Sequence, residues 1–257
     1  MAWMRFSSRV VAAALACAMV VAPAGGSAVA ADDDMAVDLA LVMAVDVSLS
    51  IDEKEAAIQR NGYVHALKDK RVTEAIRSGP IGRIAITYVE WSSVYHQVQV
   101  VPWRVISDAK TAAAFADEIA KAPIKPGSTT SISAGIDYSV KLFDKNGYDP
   151  SRKVIDISGD GYSDYGRPVK DARDDAVKKG VTINGLAMMF ERPKWKQEVP
   201  EDLDRYYNEQ VIGGPGAFFV TVRTPNDFSQ SLLHKLVLEI ADAPPTSGGR
   251  DMSLPAE

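Results

Sequence analysis

From Val37 to Val47 the chain is almost continuously apolar, broken only by Asp38 and Asp46. A run of this kind, without alternation, predicts a parallel strand covered on both faces. Ile51-Asp52-Glu53 then opens a helical stretch to about Ala66, with acids in the first turn where the helix dipole favours them. Arg71–Arg77 reads as a further short helix before the Ser78-Gly79-Pro80 break. Arg83–Trp91 and Val98–Val105 are β-rich and closely joined, which predicts a hairpin. Pro102 lies inside the second run and cannot donate to a ladder, so that strand belongs at a sheet edge.

Helical spacing returns over Asp108–Ala122, with Ala112, Phe115, Ile119 and Ala120 on one face, and again over Ile132–Phe143. Lys153–Ser158 is the next strand, followed by a helix over Val169–Lys179 closed by Gly180 and a strand over Val181–Phe190. Residues 191–216 are irregular and polar apart from a helix near Leu203–Gln210. Ala217–Val222 is a final strand, and Phe228–Ile240 an amphipathic helix capped by Asn226 or Asp227. Strands alternating with helices predict an α/β fold: a doubly wound, mainly parallel sheet with one antiparallel edge strand and helices on both faces. A single domain over residues 31–243 accounts for the pattern, with a Pro-, Gly- and Ser-rich tail over 244–257 expected to be disordered.

Ahead of this domain, Arg5 and Arg9 precede an apolar run from Val10 to Val21, and Ala28-Val29-Ala30 is a small-residue cleavage pattern. That is the form of a signal peptide over residues 1–30, too short and wrongly flanked for a stable membrane span. The expected location is therefore periplasmic or secreted. Cys17, the only cysteine, would leave with the signal peptide, so the exported chain would hold no disulfide and depend on one hydrophobic core. The 29 basic and 34 acidic residues give a net charge of −5, and losing Arg5 and Arg9 deepens this to −7. Such acidity argues against nucleic acid or an anionic membrane surface as the main partner.

Three distant pieces carry the chemistry: Asp46-Val-Ser48-Leu-Ser50, Ser128-Thr129-Thr130 and Asp160-Gly161. Each acid stands where a buried strand gives way to a loop, and loops at the carboxyl ends of strands are where open α/β sheets bind ligands. Two carboxylates with several hydroxyls form an all-oxygen set suited to a hard divalent cation. Ser50 before Ile51-Asp52-Glu53 also fits a helix cap, with Glu53 completing a capping box.

Taken together and in this order, the three pieces resemble the metal-ion-dependent adhesion site of von Willebrand factor A domains. The order of elements from about Val37 to Ala241 is similar to that fold. Glu90-Trp91, Asp156-Ile-Ser-Gly-Asp160-Gly161, Ile183-Asn-Gly-Leu186 and Ile212-Gly-Gly-Pro-Gly-Ala-Phe218 carry a closer likeness to a family of short secreted bacterial proteins without an assigned activity. The resemblance implies Asp46, Ser48, Ser50, Thr130 and Asp160 as the metal set, with Thr129 as the alternative to Thr130. It implies that the serine hydroxyls touch the ion directly and the aspartates often through water. The implied cofactor is Mg2+, or Mn2+ or Ca2+, and the implied role is non-enzymatic binding of a protein or peptide that presents a carboxylate. Leu49 stands where the family often has glycine, and Thr129-Thr130-Ser131 lacks the usual glycine-rich setting, although Gly127 is close. A metal-assisted hydrolase acting on esters or phosphoesters is the alternative function.

Other residues add less. His65, His96 and His234 lack metal-ligand spacing. Glu90 could serve as an acceptor behind the metal loops or pair with an arginine, and Asp164 could hold the loop after Asp160 or touch a ligand. Gly213-Gly214-Pro215-Gly216 precedes a strand rather than a helix and reads as a turn.

Overall fold

A computed structural model describes Met1 and residues 35–192, 199–243 and 250–255. Apart from Met1, the expected signal peptide lies outside the described residues. The chain runs β1 (Ala36–Asp46), α1 (Glu53–Lys68), α2 (Lys70–Ser78), β2 (Ile84–Trp91), β3 (Gln97–Ile106), α3 (Ala109–Lys121), α4 (Ile132–Phe143) and β4 (Asp149–Gly159). It continues through α5 (Val169–Lys178), β5 (Val181–Met188), α6 (Leu203–Tyr206), β6 (Phe219–Val222) and α7 (Phe228–Ile240). A single π-helical turn, Tyr207–Val211, extends α6.

The six strands are ordered β3-β2-β1-β4-β5-β6, with only β3 antiparallel to its neighbour. The doubly wound α/β sheet with an antiparallel edge is thus the observed fold. The β2–β3 register slips between the Ile86↔Arg104 and Tyr88↔Val101 pairs, leaving one extra residue on β3 around Pro102 and Trp103. A proline without an N–H is accommodated at such an edge bulge.

The apolar run of β1 feeds two cores at once. Leu39, Leu41, Met43 and Val45 join the layer under α1, α2, α3 and α7. Ala40, Val42 and Ala44 face the layer under α4, α5 and α6. A strand buried on both faces has no reason to alternate polar residues, which is why its sequence reads as continuous.

β4 departs from that rule. Its Asp156 is fully buried toward α7, where Lys235, also fully buried, lies 2.6 Å from it and 2.6 Å from Glu239. Asn184 of β5 donates to Glu239 Oε1 at 2.8 Å. Two buried acids share one lysine, so ionising both would leave an excess negative charge in a medium that disfavours it.

Of the tail expected to be disordered, residues 244–249 and 256–257 lie outside the described residues, and part of the rest meets the sheet. The Phe219 N–H donates to the Arg250 carbonyl, and the Met252 N–H donates to the Phe219 carbonyl, both at 2.9 Å. The Thr221 N–H donates to the Ser253 hydroxyl at 2.7 Å. Residues 250–253 therefore lie along the outer edge of β6. An uncovered edge strand offers unpaired backbone groups, and this segment satisfies them despite its polar composition. None of the described helices is long and apolar enough to cross a membrane.

Two outcomes follow from the packing. A Cβ on Gly62 of α1 would lie 2.4 Å from a ring carbon of Phe228, at the α1–α7 contact. Gly62→Ala should therefore lower Tm by roughly 2–4 °C, despite the helix propensity gained, because overpacking costs more; an unchanged or higher Tm by calorimetry would show that α7 shifts freely. For Glu239, burial above all, then Asp156, pushes the carboxyl from 4.5 up to about 7. The folded chain then keeps a proton that the unfolded chain releases, so this group's stabilisation is complete in acid and is lost as pH rises through about 7. Denaturation at a series of pH values should show stability falling across that window, by roughly 3 kcal/mol at most from this group. Glu239→Gln should flatten that part of the slope.

Candidate metal centre

The chain passes from β1 to β2 and β3 on one side, then returns to β4 on the other, so β1 and β4 flank the point where strand order reverses. Loops leaving the carboxyl ends of two such strands diverge and leave a crevice. Asp46 is the last residue of β1, and Asp160 is the first after β4. Both are buried, as is Ser48.

Backbone bonds stitch the surrounding loops together. Leu49 N–H donates to the Ser128 carbonyl at 2.9 Å, and Gly127 N–H to the Val47 carbonyl at 2.6 Å. Ser131 N–H donates to the Ser92 carbonyl at 2.7 Å, and Asp164 N–H to the Thr130 carbonyl at 2.8 Å. The loops after β1, β2 and β4 and the segment before α4 are thereby held to one another without using a side chain of the candidate set.

Within this frame, Asp46 Oδ1 accepts the Ser48 N–H at 2.7 Å. The Ser48 and Ser50 hydroxyls are 3.1 Å apart, and the Ser50 hydroxyl donates to Asp160 Oδ1 at 2.7 Å. Ser50 is not the cap of α1. Asp52 is, accepting the Glu55 N–H at 2.9 Å while Glu55 closes the capping box. The capping box lies two residues further on than Ser50 and Glu53, which frees the Ser50 hydroxyl for Asp160. Thr130 is buried and Thr129 half-buried, and Thr130 is fixed by its backbone carbonyl, which accepts from both Asp164 and Tyr165.

Asp46 Oδ2 is buried without a hydrogen-bond partner. Burial, followed by the nearby charge of Asp160, holds the Asp46 carboxyl well above the usual carboxylate range, against the opposing Ser48 bonds. Another orphaned atom, the Tyr207 hydroxyl, lies close by. A Cβ on Gly159 would stand 2.8 Å from Tyr207 Oη and 3.2 Å from Asp46 Oδ2, so only glycine allows this approach. Burial, then Asp46 and Asp160, raises the Tyr207 pKa too.

Several participants carried no sequence signal as site residues. Arg192, beyond β5, forms an ion pair with Asp160 Oδ2, and its Nε lies 3.2 Å from Glu55 Oε1. Both residues sit in segments whose composition suggests only cap or loop, and Tyr207 belongs to a π-turn that periodicity does not reveal. Gly159 was visible in Asp156-Ile-Ser-Gly-Asp160-Gly161 as part of a motif, though not as a site residue. Glu90 instead forms an ion pair with Arg60 of α1. Asp164 holds its loop through its backbone.

The donors fit a hard dication. They are all oxygen, two are carboxylates whose mutual repulsion a dication would relieve, and one carboxylate oxygen is already dehydrated and unpaired. Among the described residues no group of three or more His, Cys, Asp or Glu side chains gathers as a metal cluster; this set brings only two.

Among solved structures the chain is similar to proximal thread matrix protein 1 from the mussel byssus, with TM-score 0.58 and 19% identity over 80% of this chain and 48% of that one. A second structure of that protein has a zinc-occupied MIDAS motif and matches with TM-score 0.54 and 14% identity, over 80% of this chain and 46% of that one. The chain thus spans about half the length of the byssus protein. It is similar as well to a von Willebrand factor type A protein from Catenulispora acidiphila, with TM-score 0.54 and 13% identity over 80% and 42% of the two chains. The vWF domain of the type V pili tip protein Mfa5 from Porphyromonas gingivalis matches with TM-score 0.54 and 9% identity, over 82% of this chain and 97% of that one. At these identities the likeness establishes a shared fold, that of the von Willebrand factor A domain. No curated protein matches the sequence. A family model matches residues 36–244, nearly the whole described domain, and the chain belongs to that family, described as "Protein of unknown function (DUF1194)" and von Willebrand factor A-like in fold.

Proposed function

We propose that this protein is an exported, non-enzymatic binding module whose divalent cation is held by Asp46, Ser48, Ser50, Thr130 and Asp160. The observation that carries this reading is the joining of Ser48, Ser50 and Asp160 by hydrogen bonds beside a buried Asp46 oxygen that has no partner. When bound, the ion would supply an electrophilic position for a carboxylate oxygen of a protein or peptide partner. Mg2+ is the proposed ion, with Mn2+ and Ca2+ as substitutes of the same oxygen preference. Thr130 is preferred over Thr129 because it is the more buried and is anchored by two backbone bonds. Export would depend on residues 1–30 as a cleaved signal peptide, placing the module in the periplasm or outside the cell.

The surroundings suit a protein partner. Leu49 is 75% exposed and Tyr95 is 95% exposed, on the loops after β1 and β2. Tyr162 and Tyr165 are exposed on the loop after β4. Aromatic side chains at an interface bring contact area at low entropic cost, so a partner with apolar groups flanking an acid matches this rim. A metal-assisted hydrolase acting on esters or phosphoesters is the second reading, in which the same ion would activate water. Turnover of generic ester and phosphoester substrates with Mn2+, abolished by Asp160→Ala, would favour it over binding alone.

Calorimetric titration of the mature protein with Mn2+ is expected to show one ion per chain, and Asp46→Asn should weaken it by about 10–100-fold. Equal binding by both proteins would contradict the reading. Because the Asp46 carboxyl holds its proton above the usual range and binding requires its release, affinity should rise as pH is raised above that range. The Asp46→Asn protein should lose that dependence.

A further inference from the structure

We propose that Arg192 is the internal counter-cation of this site, so that a divalent ion and the Arg192–Asp160 pair exclude one another. The inference rests on the metal-site reading and adds the device that sets the ion's affinity. Both oxygens of Asp160 are engaged: Oδ1 accepts the Ser50 hydroxyl at 2.7 Å, and Oδ2 is paired with the Arg192 guanidinium. The Arg192 side chain is only 3% exposed, so it is part of the closed site rather than a surface residue passing over it. Its Nε lies 3.2 Å from Glu55 Oε1, which places one guanidinium between two carboxylates.

Charge explains why the two cations compete. A dication taken up beside Asp46 and Asp160 would share this small, largely dehydrated space with a permanent positive charge. Like charges within about 5 Å at a protein's effective dielectric repel strongly enough to change an affinity at least tenfold. Arginine cannot relieve this by losing its proton, and its planar fork is suited to spanning two carboxylates where lysine is not. Ion entry therefore requires Arg192 to leave Asp160.

Departure of Arg192 has a structural consequence. Glu55 is the third residue of α1 and closes the capping box, its Oε2 accepting the Asp52 N–H at 3.1 Å. Arg192 follows β5. The Arg192–Glu55 contact thus ties the start of α1 to the chain after β5, and occupation of the site by an ion loosens that tie.

Two measurements test this on the mature chain. In calorimetric titrations with Mn2+, Arg192→Gln should bind at least tenfold more tightly than the native protein. Equal or weaker binding by the variant, with the native protein binding normally, overturns the competition and leaves the metal site standing. Absence of binding in both proteins overturns the metal-site reading, and the competition with it. The second measurement needs no substitution at Arg192. Phenylglyoxal modification of the native protein, mapped by mass spectrometry, should increase several-fold at Arg192 when Mn2+ replaces chelator. Asp160→Asn should show the higher level without any ion. Equal modification of native Arg192 with and without Mn2+ overturns the proposal.

Discussion

Burying two carboxylates at one end of a sheet is the constraint on which this molecule's chemistry depends. Asp46 and Asp160 end up together because β1 and β4 flank the reversal of strand order, and both strands are fixed by cores on two sides. Both acids are buried, so neither carboxylate is hydrated by bulk water. Their repulsion must be met by something positive: a proton on Asp46, the guanidinium of Arg192, or a metal ion.

The same protein shows how a buried acid is handled when no outside partner is intended. Asp156, four residues before Asp160 on the same strand, meets Lys235 of α7, itself paired with Glu239. Removing the lysine from such a group leaves bare charge in the interior, at a cost of about 3–5 kcal/mol. That cluster lies deep under α7 and serves the fold. At the other position the answer is partial: one carboxylate oxygen of Asp46 stays unpaired, and the cation that is present comes from an arginine beyond the end of β5. On that difference rests the proposal that the second site exchanges its cation.

Much of the architecture was legible in the sequence because it rests on periodicity. The continuous run of β1, the edge proline of β3 and the helix over Ile132–Phe143 each follow from a local pattern, and all appear in the structure. Boundaries moved where capping chemistry was close to degenerate, as when Asp52 rather than Ser50 capped α1. The order along the edge of β6 was invisible because residues 250–253 are held by backbone bonds to a distant strand, and composition carries no trace of those. In the candidate site, the meeting of Asp46, Ser48, Ser50 and Asp160 was expected from strand ends and from the family resemblance. Hydrogen bonds join these segments in the structure, while their role as ligands remains the proposal. Arg192, Glu55 and Tyr207 were not expected there, since each reaches the site only through the tertiary fold. Lys235 was hidden for a related reason: a lysine on an amphipathic helix reads as solvent-facing until Asp156 is seen beneath it.

The central claim is that these dispersed oxygens close around one ion. Diffraction from crystals grown with manganese, collected where manganese scatters anomalously, tests it most directly. A single strong anomalous peak bounded by Ser48, Ser50 and Asp160, with Asp46 behind it, is expected. A map with no peak there, or with manganese bound only elsewhere on the molecule, would contradict it.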